Sequence, residues 1–287
     1  MRVLLAVDGS EQAHQAAESV SCLASVKSLI VVHVIDLPRL AYPMLGPDIA
    51  QDLAMTVEQA IWEEGGRVLK RAMSHLSYHT TPVSKRLEAG TPAEVILSIA
   101  QEDQVDVIIA GARGRVHAKG LALGSVSHRV LTHAPCPVMI IKSPLRELRK
   151  ILLPVQGPAD AERAKQFFAK HPFHGNVEIT VFTVVPIPRA IWRPGVSAPE
   201  AKIQHALESA EQFNDGVVAD LTATHYQVTG LVGMGAPADT IMEQADTMKP
   251  DLILMGTHNP SAVSRFLMGS VSHTVLHHAT CPVLLVR

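Results

Sequence analysis

The sequence predicts a doubly wound α/β fold present twice, on three observations. The chain has 287 residues, 47% of them apolar and 18% charged, which at ordinary domain sizes is enough for about two domains with a core each. It also repeats itself. Gly111-Ala-Arg-Gly114, Gly124-Ser125-Val126-Ser127-His128 and His133-Ala134-Pro135-Cys136-Pro137-Val138 return 145 residues on as Gly256, Gly269-Ser270-Val271-Ser272-His273 and His278-Ala279-Thr280-Cys281-Pro282-Val283. Within each copy, short apolar runs alternate with helical periodicity, the pattern of parallel strands joined by right-handed crossovers.

Val3 to Val7 is a continuous apolar run closed by Asp8-Gly9-Ser10, as a buried parallel strand ending in a turn should be. Ala13, Ala16, Ala17, Val20 and Leu23 then have helical spacing, with Ser10 as the N-cap. Leu29 to Ile35 is a second buried strand, and after a Pro-rich stretch Ile49, Leu53, Val57, Ile61, Val68, Ala72 and Leu76 mark a long helix. Val83, Lys85 and Leu87 alternate as a half-exposed edge strand would. Thr91 as cap, Pro92 at the first position and Glu94 three residues after the cap open the next helix. Val105 to Ala110 and Val138 to Ile141 complete the strands. Ile151-Leu-Leu-Pro-Val155 corresponds to Val3-Leu-Leu-Ala-Val7 at an offset of 148, so the expected domains are residues 1–142 and 149–287, joined near Ser143 to Arg149.

Composition excludes several functions. Lys+Arg 25 against Asp+Glu 27 leave a formal charge of -2, so no overall field draws the chain to nucleic acid or to an anionic membrane. No apolar run approaches the ~18 residues of a membrane span. Three cysteines form no disulfide framework, and the apolar run after Met1-Arg2 is too short for a signal-peptide core; a cytoplasmic location is expected. With neither Cys-x-x-Cys nor His-Glu-x-x-His in the chain, no metal site is expected.

In a doubly wound sheet, ligands bind beyond the carboxyl ends of the strands where the strand order reverses, at the turns after the first and fourth strands. After the fourth strand stand Gly111-Ala112-Arg113-Gly114, nine residues, and Gly124-Ser125 opening a helix. Glycines there permit positive φ and close backbone approach. Ser125 as cap would present the helix N–H groups and positive dipole end to an anion. No Gly-x-x-x-x-Gly-Lys-Ser/Thr occurs, so phosphates would be held without a Walker lysine.

This loop, with Val7-Asp8-Gly9-Ser10, Val32-His33-Val34-Ile35-Asp36 and His133-Ala134-Pro135-Cys136-Pro137-Val138, resembles the universal stress protein family, over essentially the whole chain in two tandem copies. The resemblance implies two five-stranded Rossmann-like sheets of the adenine nucleotide alpha hydrolase type, strand order 3-2-1-4-5. It implies ATP, with or without Mg²⁺, in the switch-point crevice. Carried over by position, Ala6, Asp8, Gly9 and Ser10 would lie beside the adenosine, with Asp8 accepting from a ribose hydroxyl or the adenine amino group. The Val34 backbone would meet the adenine, and Gly111, Gly114, Gly124, Ser125, Val126 and Ser127 would wrap ribose and phosphates. Arg113 and Arg115 would supply positive charge. In the family's dimers the last strands pair edge to edge, so Pro137 to Ile141 and Pro282 to Val286 would pair within the chain as a pseudo-dimer. A homodimer and an unidentified protein partner are also compatible with the resemblance.

The second copy departs from the pattern. Gln156 replaces Asp8 and is followed by Gly157-Pro158, and Asn259 replaces Gly114 and is followed by Pro260, while Gly256, Gly269 and Ser270 remain. Proline removes an N–H donor and asparagine fills space, so one competent site is expected in residues 1–142 and a degraded one in 149–287. The function implied is that of a stress-response sensor whose bound ATP orders the glycine loop and changes the surface offered to partners. The alternatives are a nucleotide-free interaction pseudo-dimer and a weak ATPase. Efficient phosphoryl transfer needs a metal-holding carboxylate and a group that positions the nucleophile, and neither is visible near the loop.

Smaller features have ordinary explanations beside functional ones. His117 and Lys119 in the glycine loop would meet a γ-phosphate or simply lie on a surface loop. His133 and His278 suit helix C-terminal ends. Cys136 and Cys281 read as small buried hydrophobes. Trp62 and Trp192 fall in the variable region after the second strand, where Leu37 to Pro47 and Pro186 to Pro199 are apolar and Pro-rich; that region forms a lid, an interaction surface or ordinary packing.

Overall fold

A computed structural model of the chain describes residues 1–37, 47–76, 81–115, 123–187, 200–224, 226–257 and 268–287. The first half runs β1 (Arg2–Ala6), α1 (Glu11–Ser19), β2 (Ser28–Ile35), α2 (Pro47–Ser74), β3 (Val83–Ala89), α3 (Pro92–Glu102), β4 (Val107–Gly111), α4 (Ser125–His133) and β5 (Val138–Ile141). The second runs β6 (Lys150–Pro154), α5 (Pro158–Phe168), β7 (Glu178–Pro186), α6 (Glu200–Thr222), β8 (Gln227–Gly235), α7 (Pro237–Met248), β9 (Leu252–Gly256), α8 (Ser270–His278) and β10 (Val283–Val286).

The described strands form one ten-stranded sheet in the order β3-β2-β1-β4-β5-β10-β9-β6-β7-β8. The first half has the expected order 3-2-1-4-5, and the second repeats it as β8-β7-β6-β9-β10. The two expected sheets are thus continuous. Their seam is antiparallel, with Val283 opposite Ile140, Leu284 opposite Met139 and Leu285 opposite Val138. All six side chains are buried, and each half covers the other's exposed edge.

Both faces of the sheet are packed, which is why its strands read as unbroken apolar runs. Val3, Leu5, Val107 and Ile109 point to one face, with Ala16 of α1, Ala72 of α2, Phe168 of α5 and Leu221 of α6. Leu4, Ile108 and Ile140 point to the other, with Ile96 of α3, Leu131 of α4, Ile241 of α7 and Leu276 of α8. Burying one such side chain is worth about 1.5–3 kcal/mol. Leu145 and Leu148 of the segment between the halves join the first cluster.

One cap is as expected, and four local features differ from expectation. Ser10 caps α1 as expected, its Oγ accepting from Ala13 N–H at 3.2 Å. Thr91 occupies the cap of α3 but makes no side-chain cap hydrogen bond; Pro92 has no N–H to satisfy, and Glu94 pairs instead with Arg129 of α4 at 2.7 Å. The N-cap of α4 is Gly124, not Ser125, because Gly124 N–H donates to the Ala112 carbonyl while its carbonyl takes His128 N–H, the first helical bond. The start of α2 overhangs the sheet. At ~1.5 Å per residue its 28 residues reach ~42 Å, whereas eight-residue β2 spans ~26 Å. Hence Ile49 is 62% and Leu53 38% exposed, and α2 packs closely only from Gly65, where a Cβ would stand 2.7 Å from Leu87 Cδ1. Fourth, Gly111, Gly114 and Gly124 are not in the left-handed region; Gly9 is, at φ +79°. No described helix is long and apolar enough to cross a membrane.

Candidate functional site

A cavity of about 290 Å³ opens where the strand order reverses, beyond the carboxyl ends of β1, β2 and β4. Ala6, Val7 and Asp8 come from β1 and its turn, Val32, His33 and Val34 from β2, and Ala110 and Gly111 from β4. Pro92 and Ile96 of α3 close the apolar side. Arg113, Gly114 and Arg115 of the loop, with Gly124, Ser125, Val126 and Ser127, close the polar side.

Asp8 organises this rim. Its Oδ1 accepts from Ser10 N–H at 2.9 Å and its Oδ2 from Arg115 N–H at 3.0 Å. The Ser10 hydroxyl donates to the Arg113 carbonyl at 3.3 Å, so the turn after β1 and the loop after β4 are stitched together. The loop glycines serve approach rather than φ. A Cβ on Gly114 would lie 2.6 Å from Asp8 Oδ2, and one on Gly111 would lie 3.0 Å from Gln12 of α1.

The start of α4 faces the cavity with no side-chain cap. The N–H groups of Ser125, Val126 and Ser127 have no intrahelical acceptor by helix geometry, so they present donors and the positive dipole end to an anion. The Ser127 hydroxyl is committed, donating to the Gly111 carbonyl at 2.7 Å. Arg115 pairs with Glu64 of α2 at 3.7 Å, both side chains about half exposed; such a pair is worth at most about 1 kcal/mol and yields readily to a stronger anion. His33 Nδ1 lies 2.7 Å from the Val7 carbonyl, which can only accept, so the proton sits on Nδ1.

The model of the universal stress protein family matches residues 1–142 and again 147–287. The chain belongs to the universal stress protein family. A tandem relative from Mycobacterium tuberculosis is 24% identical across 99% of this chain and 96% of its own length. One from Thermus aquaticus is 35% identical over 48% of the chain and 98% of its length. The crystal structure of a universal stress protein from Archaeoglobus fulgidus shares the fold with a TM-score of 0.61 at 21% identity, covering 100% of this chain and 96% of that one.

Of the positions singled out in the sequence of this universal stress protein, Ala6, Asp8, Val34, Gly111, Arg113, Gly114, Arg115, Gly124, Ser125, Val126 and Ser127 line one cavity. Gly9 and Ser10 stand behind it and shape the turn. His117, Lys119, Trp192, Asn259 and Pro260 lie outside the described residues, as do parts of the Pro-rich stretches; Trp62 is partly exposed on α2. Sequence reasoning missed Val7, Ala13, Val32, His33, Pro92, Ile96, Ala110 and Val130, although the Thr91-Pro92 helix start was a usable signal for Pro92 and Ile96.

The equivalent cavity of the second half holds only about 120 Å³. On adjacent strands Ala6 stands beside Val32 and Ala110 in the first half. In the second half Pro154 stands beside Phe182, and Met255 replaces Ala110 in the repeat. Phe182 and Met255 are buried with Ile241 and fill the apolar volume that the smaller trio leaves open. Asp160, replacing Gln12, now carries the carboxylate, and a Cβ on Gly256 would lie 2.2 Å from its Oδ1.

Among the described residues, the histidines and cysteines form no site of their own. His273 and His277, four apart on α8, place their rings 4.3 Å apart; His277 is held below its ordinary value by burial first and then by His273. The described residues contain no cluster of three metal-ligating side chains. Burial pushes the thiols of Cys22 and Cys281 up to about 11 and that of Cys136 to about 12, which keeps them protonated and unreactive at neutral pH.

Proposed function

We propose that this chain is a cytoplasmic, ATP-dependent stress-response sensor of two domains, residues 1–142 and 149–287, with one nucleotide site, in the first. The observation that carries the proposal is the cavity at the strand-order reversal, apolar on the α3 side and rimmed by Asp8, Arg113, Arg115 and the uncapped start of α4. The residues fit the ligand's parts: Ile96, Val32 and Ala110 suit a flat adenine, Asp8 and the Val34 backbone its polar edge and the ribose, and the N–H groups of Ser125 to Ser127 the phosphates. Occupancy would draw Arg113 to Arg115 and the start of α4 onto the phosphates and so change the surface beside them.

Hydrolysis is at most slow. Asp8 is the sole carboxylate among the described cavity residues, and both its oxygens already accept backbone N–H groups. A Mg²⁺ ion carried in with the nucleotide would therefore be held chiefly by the phosphates. The smaller second cavity favours a structural role for the second half as the pseudo-dimer partner.

The proposal is tested by denaturing the purified chain and chromatographing the released supernatant. Adenine nucleotide in stoichiometry with the protein is expected. Protein that carries none and gains none on incubation with ATP would overturn it.

A further inference from the structure

Gln12, in the first turn of α1, makes two side-chain bonds that neither cap nor core requires. Its Oε1 accepts from Arg113 N–H at 2.6 Å, and its Nε2 donates to the Lys142 carbonyl at 3.3 Å. The first bond holds the glycine loop one residue before Gly114. The second reaches the end of β5, where Lys142 enters the other half and its Nζ donates to the Ala279 carbonyl at 2.7 Å. Ala279 is the C-cap of α8, so Lys142 brings a cation to carbonyls that end a helix and to the negative end of its dipole. Burial lowers the Lys142 amine to about 8.

The opposite contact exists without the link. Arg287, 145 residues after Lys142, donates to the Leu131 carbonyl of α4. The counterpart of Gln12 is Asp160, however, and a carboxylate has no amide donor for the Arg287 carbonyl. Among the described residues, a hydrogen-bonded path from loop to opposite half therefore runs from the first half.

We infer that Gln12 and Lys142 form a relay that couples occupancy of the first cavity to the C-terminal end of α8 in the second half. Gln12 is a positioning residue for the glycine loop. The inference rests on the nucleotide site proposed above. One carboxamide serves both Arg113 N–H and the Lys142 carbonyl, so a loop drawn toward bound phosphates reorients the group that fixes the end of β5. The Lys142 ammonium carries that change to Ala279.

Hydrogen exchange of the full chain, with and without ATP, beside equilibrium dialysis for affinity, tests the relay. In the unaltered chain ATP should slow exchange over residues 277–282 as well as in the loop. Gln12→Ala should weaken ATP binding about fivefold, the loss of one hydrogen bond, and abolish the response at 277–282. Lys142→Met should bind ATP as the unaltered chain does yet lose that response, and Lys142→Arg, copying Arg287, should keep it. ATP binding with no change at 277–282, or a response that survives Lys142→Met, overturns the relay. Without ligand, Gln12→Ala should speed exchange at both Arg113 and 277–282; unchanged exchange at 277–282 overturns the relay whatever ATP does. Failure of ATP to bind while this ligand-free coupling holds overturns the nucleotide site instead, and with it the ligand-driven half of the relay.

Discussion

The Asp8 carboxylate occupies the space that a side chain at Gly114 would need: a Cβ there would stand 2.6 Å from Oδ2, the oxygen that accepts from Arg115 N–H at 3.0 Å. The acid after β1 and the glycine after β4 are one device, since the carboxylate can hold the loop only if nothing projects between them.

Gly114→Ala should therefore release the loop without unfolding the chain. The methyl group displaces the carboxylate, the Arg115 bond is lost, and ATP binding should weaken by about tenfold, ~1.4 kcal/mol, while the unfolding midpoint hardly moves. Unchanged affinity by calorimetric titration would show that the Asp8 contact does not matter.

The two cavities should be interconvertible in one direction. Ala110→Met copies Met255 into the first half and should abolish nucleotide binding at little cost in stability, because it fills an existing cavity. Met255→Ala hollows a packed core and should cost about 2–5 kcal/mol. Chemical denaturation and titration of both variants check this; an Ala110→Met chain that still binds ATP would contradict the size argument.

Acid should destabilise the chain below pH 6.5. His14 stacks on His75 with ring centroids 4.7 Å apart, and its ionisation is held below the ordinary 6.5 by burial first and then by His75. Above 6.5 neither folded nor unfolded chain is protonated there. As pH falls through 6.5 the unfolded chain takes up a proton that the folded chain resists, so stability drops. His277 acts in the same sense. Glu18, held below its ordinary 4.5 by its hydrogen bond to Arg146, contributes stability present above 4.5 and lost as pH falls through its lowered folded value. Denaturation midpoints between pH 7.5 and 5.5 should fall, less steeply in His14→Gln; an identical slope in that variant would rule His14 out.

The thiols offer an independent check of the core. With all three pushed to about 11 or 12, the folded chain should resist an aromatic disulfide reagent at pH 8 and react fully once denatured. Rapid labelling of the native chain would place a cysteine in a different setting.

The fold was legible because the repeat and the apolar runs state it twice: the runs from Val3 and from Ile151 mark β1 and β6, and the sheet order follows from the family they resemble. The polar rim was legible from Asp8, Gly111, Gly114 and Gly124-Ser125, since backbone approach constrains residue type strongly. The apolar wall was not. Val32 and Ile96 are ordinary core residues by sequence, and only the packing of α3 over β2 at the strand-order reversal turns them toward the cavity. The Ala110 to Met255 change was printed in the repeat, but its meaning needs the strand neighbours Ala6 and Val32. The cap of α4 failed for a related reason, because Ser125 next to Gly124 reads as a cap until the Gly124 hydrogen bonds fix the helix start.

The central claim is one competent site in two copies of a single fold. Calorimetric titration of the full, nucleotide-free chain with ATP tests it most directly. One site per chain is expected, lost in Ala110→Met and retained in a Gln156 or Asp160 variant. Two equal sites per chain, or one that survives Ala110→Met, would contradict it.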